Sequence, residues 1–253
     1  MKIASWNVNS IKARLHHVKA WLETQKLDVL MLQELKGENA IAEEFKDLGY
    51  HCAMVGQKTY NGVATLSLHP METVLTKLPG DDTDEQARYL ETRINGMRFI
   101  NIYLPNGNPV GTEKFSYKLR WMDRLHDRIA QLRKTAENFV LAGDFNVIPE
   151  DRDCHDPAAW AGDALFQPES RRAFRRLINL GLTDAFRVFH DGGGHYTFWD
   201  YQAGAWPRNN GIRIDHILLS PALADRLTMS MIDTAPRGLE KASDHTPILA
   251  VLG

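Results

Sequence analysis

YLETRINGMRFINIYL, residues Tyr89 to Leu104, holds two strand-like runs, Tyr89 to Ile94 and Arg98 to Leu104, on either side of Asn95-Gly96. Asn-Gly readily takes the left-handed backbone of a tight hairpin turn, so the two runs predict an antiparallel pair. Outward from this hairpin, short apolar runs recur at Ile3 to Val8, Val29 to Gln33, His51 to Val55, Val63 to Leu68, Phe139 to Ala142, Ile212 to Leu219 and Thr246 to Leu252. Helical spacing separates several of them. Ile11, Leu15, Val18 and Leu22 mark a helix over Ile11 to Gln25, and Leu119, Met122, Leu125, Ile129 and Leu132 mark another over Lys114 to Lys134. A third is expected from Pro168 to Leu180. Strands interspersed with helices, but joined in places by hairpins, predict an α/β fold of mixed sheets covered by helices rather than a purely parallel sheet.

The chain has 253 residues, of which 43% are apolar and 25% charged, the balance of a globular protein. A chain of this length hides roughly 70 to 75% of its unfolded surface, enough for a core without disulfides or a structural metal. No low-complexity tract, long linker or repeat interrupts it, so residues 1–253 read as a single domain. The apolar runs fall far short of the roughly 18 residues of a membrane span, and the N-terminal stretch lacks the apolar core of a secretory signal. A cytoplasmic protein without membrane contact is expected. Cys52 and Cys154 stand far apart, outside any zinc-ligand spacing, and read as packing residues. A net charge of −2 excludes a uniformly cationic nucleic-acid binder but not a basic face.

Chemistry-bearing residues cluster at the ends of the apolar runs, in SWNVN, LMLQE, LAGDFN, IRID and ASDH. Strand ends and loops are where a rigid scaffold presents reactive groups. Taken singly, each Asp or Asn there fits a turn former or helix cap. Taken together, Asn7, Asn9, Glu34, Asp144, Asn146, Asp215, Asp244 and His245 form an oxygen-rich set with one imidazole, suited to phosphate chemistry with a divalent cation. Mg²⁺ prefers carboxylate, phosphate and water oxygens, which makes Mg²⁺ the expected cofactor, with Mn²⁺ as a substitute, and Glu34 the leading ligand. Hydrolysis of a phosphodiester requires charge neutralisation, an oriented water and a stabilised leaving oxygen. Asp144 with Asn146 can hold or deprotonate the water, and His245, fixed by Asp215, can bring positive charge to a phosphate oxygen. Which group takes the proton stays open at this level.

The same residues carry a family resemblance over essentially the whole chain. WNVNSIKAR (Trp6 to Arg14), LQELK (Leu32 to Lys36), GQKTYNGVA (Gly56 to Ala64), NIYLPNG (Asn101 to Gly107), GDFNV (Gly143 to Val147), YTFWDY (Tyr196 to Tyr201), GIRIDHILLS (Gly211 to Ser220) and SDHTP (Ser243 to Pro247) occur in order. In these segments the chain resembles the exonuclease III family of abasic-site DNA repair nucleases, within the endonuclease/exonuclease/phosphatase superfamily. The resemblance implies a four-layer α/β sandwich with two central mixed β-sheets flanked by helices. It implies metal binding by Glu34 with Asn9 nearby, and phosphate contacts from Asn7, Tyr103, Asn106 and His245. Asp144 with Asn146 would activate water, Asp215 would orient His245, and Asp244 would serve the metal shell or a hydrogen bond. Leu35 stands where the related segment commonly has Thr, and Asn9 where some relatives have Asp, which removes one negative charge from the site.

On the substrate side, the resemblance implies a small apolar pocket for a base-lacking sugar, lined by Phe198, Ile212 and Ile214. Trp199 is expected at the same DNA face, although Trp199 and Trp206 fit a hydrophobic core equally well. Lys58 and Tyr60 of the GQKTYNG loop are expected to touch DNA. Lys36, Lys118, Arg120, Arg171, Arg172, Arg208 and Arg213 can track a phosphate backbone, whereas Arg171, Arg172, Arg175 and Arg176 on one helix also fit a solvated face. The expected enzyme is a monomeric, Mg²⁺-dependent exodeoxyribonuclease III or abasic-site endonuclease. It would cut double-stranded DNA 5′ to abasic sites and trim 3′ ends. An abasic nucleotide leaves the stack at little cost, because its base pairing is already absent. GDFN and SDH alone also permit a phosphatase or phosphodiesterase of inositol phosphates or lipid head groups. A DNA-binding module that has lost hydrolysis is a third reading, opposed by the completeness of the reactive set.

Overall fold

The computed structural model describes residues 1–135 and 137–253. Along the chain, β1 (Lys2–Asn7), α1 (Ile11–Gln25), β2 (Val29–Gln33), α2 (Ala42–Lys46), β3 (His51–Val55) and β4 (Val63–Ser67) come first. β5 (Met71–Leu75), β6 (Tyr89–Ile94), β7 (Met97–Tyr103), α3 (Glu113–Lys134) and β8 (Phe139–Asp144) follow. α4 (Pro157–Trp160), α5 (Pro168–Ile178), β9 (Thr183–Asp184), β10 (Asp215–Leu219), α6 (Pro221–Ala224), β11 (Leu227–Ile232) and β12 (Ile248–Leu252) complete the order.

The strands form two mixed six-stranded sheets, ordered β11-β12-β1-β2-β4-β3 and β5-β6-β7-β8-β10-β9. Among the described residues, only β1/β2 and β7/β8 pair in parallel, and each parallel pair is bridged by a long helix, α1 or α3. Parallel neighbours need such a crossover, whereas antiparallel neighbours can turn tightly. The β6/β7 turn does so through Asn95 and Gly96, whose φ values of 50° and 76° are the left-handed pair that a tight hairpin requires.

Three apolar layers hold the sheets. Trp6, Val18, Leu22 and Leu30 pack α1 and α2 on one sheet, Trp121, Leu125, Phe174 and Leu141 pack α3 and α5 on the other, and Ile3, Met31, Phe99 and Ile217 fill the space between the sheets. Helix, sheet, sheet and helix therefore stack as four layers, matching the architecture the motifs imply.

Three strands escape a sequence pattern search. β5 buries none of its residues and β11 only Ser230, so neither has a clean apolar face, and β9 spans only Thr183–Asp184. In the other direction, the expected strand at Ile212 begins only at Asp215: Ile212 makes isolated bridges to Cys154 and Phe198 instead.

Gly143 shows how tightly β7 and β8 approach. Its φ is 148°, and a Cβ at this position would stand 1.9 Å from the Ile102 carbonyl oxygen. Gly143→Ala is expected to lower stability by about 4 kcal/mol or more, in the range of steric and backbone-strain mutations. Urea unfolding checks this; an unchanged midpoint would contradict the close approach.

Candidate active site

The ends of the two parallel strand pairs converge. β1 ends at Asn7, β2 leads into Glu34, β7 ends at Tyr103 and β8 ends at Asp144, with Asn7 in register with Gln33 and Tyr103 with Asp144. Ligand clefts form outside the carboxyl ends of parallel strands because the chain leaves the sheet there in loops. Asn7 joins the two sheets: its amide nitrogen donates to Glu34 Oε1 at 3.0 Å and to Asp144 Oδ2 at 2.9 Å. Glu34, Asn9 and Asn146 all take left-handed φ values, between 44° and 52°. Local bonds compensate this uncommon backbone: the Asn9 N–H donates to Asn7 Oδ1 at 3.0 Å and the Asn146 N–H to Asp144 Oδ1 at 2.8 Å.

β8 and β10 pair with Asp144 opposite Asp215, so two buried carboxylates stand on neighbouring strands. His245 sits between them, its Nδ1 2.8 Å from Asp215 Oδ2 and its Nε2 3.7 Å from Asp144 Oδ2. Burial alone would pull the His245 imidazolium down, but Asp215 and then Asp144 outweigh it and push the pKa up to about 10. Burial pushes Asp144 above the usual carboxylate range; His245 pulls it back, while the charges of Asp215 and Glu34 push it further up. Glu34 behaves oppositely. Burial works against its charge, yet the Asn7 amide and the Lys36 ammonium hold it below the usual range. Burial, followed by the nearby Glu34 and Asp144 charges, keeps the Tyr103 phenol protonated far above its ordinary range, so it is available as a donor. The Arg88 guanidinium covers the Tyr103 ring at 4.7 Å.

Glu34, Asp144 and His245 place one potential ligand atom each within 4.8 Å of one another. Protonation removes His245 from that set, since an imidazolium offers no lone pair to a metal. The remaining donors are hard oxygens. Lys36 Nζ lies 3.1 Å from Glu34 Oε2 and also donates to Asn9 Oδ1, so a cation is already stabilised where these oxygens converge. This donor chemistry fits Mg²⁺ or Mn²⁺. Asp244 Oδ1 accepts from the Asn9 amide at 3.0 Å and so lies next to this position.

A cavity of about 260 Å³ opens between Glu34, Tyr103, Asn106, Asp144, Asn146, Asp244 and His245, with Phe198 and Ile214 on its apolar side. Trp160, Asp163 and Leu165 also line it. Sequence reasoning missed these three: the segment carries no strand or recognisable motif, and only the pairing of an aromatic with an acid in WAGD hints at a wall. The other substrate-side expectations divide. Lys58 and Tyr60 are exposed, Tyr60 at 67%, on a loop tied to the site by the Lys36 N–H donating to the Asn61 carbonyl at 2.9 Å.

Several placements correct the sequence reading. Trp199 is buried among Tyr196, Ala205 and Trp206, with its indole N–H on Asn209, so it presents no DNA-facing surface. Ile212 is fully buried behind Phe198 and borders a neighbouring hollow rather than the catalytic cavity. Lys118 and Arg213 are buried, not backbone-tracking; Arg213 is locked between Asp153 and Asp184. Both amide hydrogens of Asn7 are taken by carboxylates, so Asn7 bridges the acids instead of reaching a phosphate as a free donor.

A buried acid–imidazole–acid row beside a carboxylate cation site, at the joined ends of two packed mixed sheets, defines a phosphate-ester hydrolase. The Endonuclease/Exonuclease/phosphatase family model matches residues 4–245, and the chain belongs to this family. It is 34% identical over 264 residues to the exodeoxyribonuclease III of Haemophilus influenzae, covering 99% of both chains. Its fold matches the 3′ phosphatase NExo from Neisseria bound to product DNA hairpin with a TM-score of 0.97 at 40% identity, covering 100% of this chain and 99% of that one. An AP endonuclease from Archaeoglobus fulgidus gives 0.96 at 40% identity with the same coverage.

The His245 environment has a pH signature. A pKa raised from 6.5 to about 10 contributes stability that is fully present below pH 6.5 and is lost as pH rises through 10. Asp215→Asn removes the main source of that rise. The stability difference between wild type and variant is therefore expected to be largest near pH 6.5 and to shrink towards pH 10. Urea titrations across that window measure it, and a difference independent of pH would remove the charge explanation.

Proposed function

We propose that this chain is a metal-dependent DNA repair phosphodiesterase that incises duplex DNA 5′ to abasic sites and removes nucleotides or blocking groups from 3′ ends. The observation that carries the reading is the Asp144 carboxylate, held by Asn7 and the Asn146 N–H, facing an imidazolium that Asp215 fixes. In this reading Asp144 orients the attacking water and accepts its proton, a role that its raised pKa favours. His245 and the Tyr103 phenol donate to phosphate oxygens, while Asn106 and Asn146, joined by an amide–amide bond of 3.2 Å, fix the phosphate's orientation. Glu34, with Asn9 and Asp244 beside it, holds Mg²⁺, for which Mn²⁺ can substitute. When bound, the ion lowers the charge barrier at the phosphate and stabilises the leaving oxygen.

The apolar side formed by Phe198, Ile214, Trp160 and Leu165 suits a sugar without its base, and the same acids serve a terminal phosphate ester. Exposed Lys58 and Tyr60 supply contacts to the flanking strand. The names of the similar proteins, an exodeoxyribonuclease III, a 3′ phosphatase with DNA and an AP endonuclease, support a nucleic-acid substrate over inositol phosphates or lipid head groups. No helix among the described residues is long and apolar enough to cross a membrane. Residues 1–253 act as one catalytic domain, a reading supported by a family match that runs over residues 4–245, and this domain acts as a monomer. Two free cysteines, Cys52 and Cys154, suit the reducing cytoplasm.

A labelled duplex with an internal abasic analogue and a free 3′ end tests bond, cofactor and substrate together. With Mg²⁺, cleavage 5′ to the analogue and shortening at the 3′ end are expected, and chelator abolishes both. Asp144→Asn and Glu34→Gln should each reduce the rate by about 10²- to 10⁴-fold while thermal melting stays cooperative. Undiminished cleavage by both variants would reject the assignment.

A further inference from the structure

Lys118 on α3 is fully buried, yet its Nζ donates to main-chain carbonyls only: Asn106 at 3.0 Å and Asn146 at 2.6 Å. Taking an ammonium out of water costs several kcal/mol unless it is well paired, so an apolar side chain would be the cheaper choice for filling this space. The two acceptors belong to the asparagines whose side chains meet at the catalytic cavity. Gly107 has a φ of 89°, and a Cβ there would stand 2.6 Å from Lys118 Cδ, so the loop is shaped to let this side chain pass beneath it. The next residue, Asn108, binds both carboxylate oxygens of Asp163 at 3.1 and 3.0 Å and accepts the Ala164 N–H at 2.9 Å. Lys118 therefore underlies three segments that wall the cavity: the loop at Asn106, the turn at Asn146 and, through Asn108, the segment at Asp163. Burial pulls the Lys118 pKa down to about 7, and the charges of Asp163 and Asp144 push against that fall.

We propose that Lys118 is a positioning residue for phosphodiester hydrolysis, its Nζ fixing the carbonyls of Asn106 and Asn146 so that their amides and the adjoining Asp144 hold the phosphate and water in reacting geometry. The proposal rests on the hydrolase reading above. Lys118 touches no cavity surface itself, so its loss should alter alignment, not affinity. Steady-state cleavage of the same labelled duplex separates these effects. Lys118→Met is expected to lower kcat by roughly 10- to 100-fold with KM within about twofold, the pattern of lost alignment. Lys118→Arg, which keeps charge and donors, should exceed the Met variant in kcat by about tenfold. Wild-type kcat in Lys118→Met, a rise in KM at unchanged kcat, or equal impairment of the Met and Arg variants would overturn the proposal and leave the hydrolase reading standing. An inactive wild type would remove both. Thermal melting confirms folding, and should the Met variant not fold, Lys118→Gln takes its place under the same criteria.

Discussion

One imidazolium lies between two buried carboxylates on neighbouring antiparallel strands, and the candidate site is arranged around it. The register of β8 and β10 sets Asp144 opposite Asp215, and His245 arrives from the segment before β12 to separate them. Without the cation, two buried negative charges would face each other across one strand spacing, a costly arrangement in a low-dielectric interior. Glu34 adds a further acid, which is why Asn7 and Lys36 must contribute donors at the same place. The cleft thus concentrates negative charge and balances it with an imidazolium, an amide bridge and an ammonium.

The four-layer architecture makes that concentration possible. Each sheet contributes one parallel pair whose strand ends open on the same side, and Asn7 links them by donating to acids from both sheets. Tight sheet geometry matters here. Gly143 precedes Asp144 at a point where β7 leaves no room for a side chain, so the backbone that carries the carboxylate packs directly on its neighbour, while Asn7 and the Asn146 N–H hold the carboxylate itself. Such rigidity suits chemistry that depends on the positions of charged groups more than on their movement.

Much of the site is visible in the linear sequence because its reactive residues stand in short polar interruptions of apolar strands. Glu34 follows VLMLQ and Asp144 closes FVLAGD, so local pattern places both at sheet ends, whereas the apolar run around Asp215 starts at Ile212 and hides that the strand DHILL opens on this acid. The Asn95-Gly96 turn likewise declares the β6/β7 hairpin. Edge strands such as β11 are less visible: their pairing is determined by a neighbour, with little help from an apolar face of their own.

The sequence by itself determined which chemical groups this protein possesses, that they sit at strand ends and that they favour a hard cation and a phosphate. Tertiary structure decided which of them are available. Lys118 and Arg213 look like any other basic residues in sequence, yet one lies beneath two asparagine carbonyls and the other between two aspartates. Trp199 faces other aromatics, and Asn7 is committed to Glu34 and Asp144. The difference arises because burial and hydrogen-bond partnership are set by residues distant along the chain, 137 positions in the case of Asn7 and Asp144, and local sequence holds no record of them.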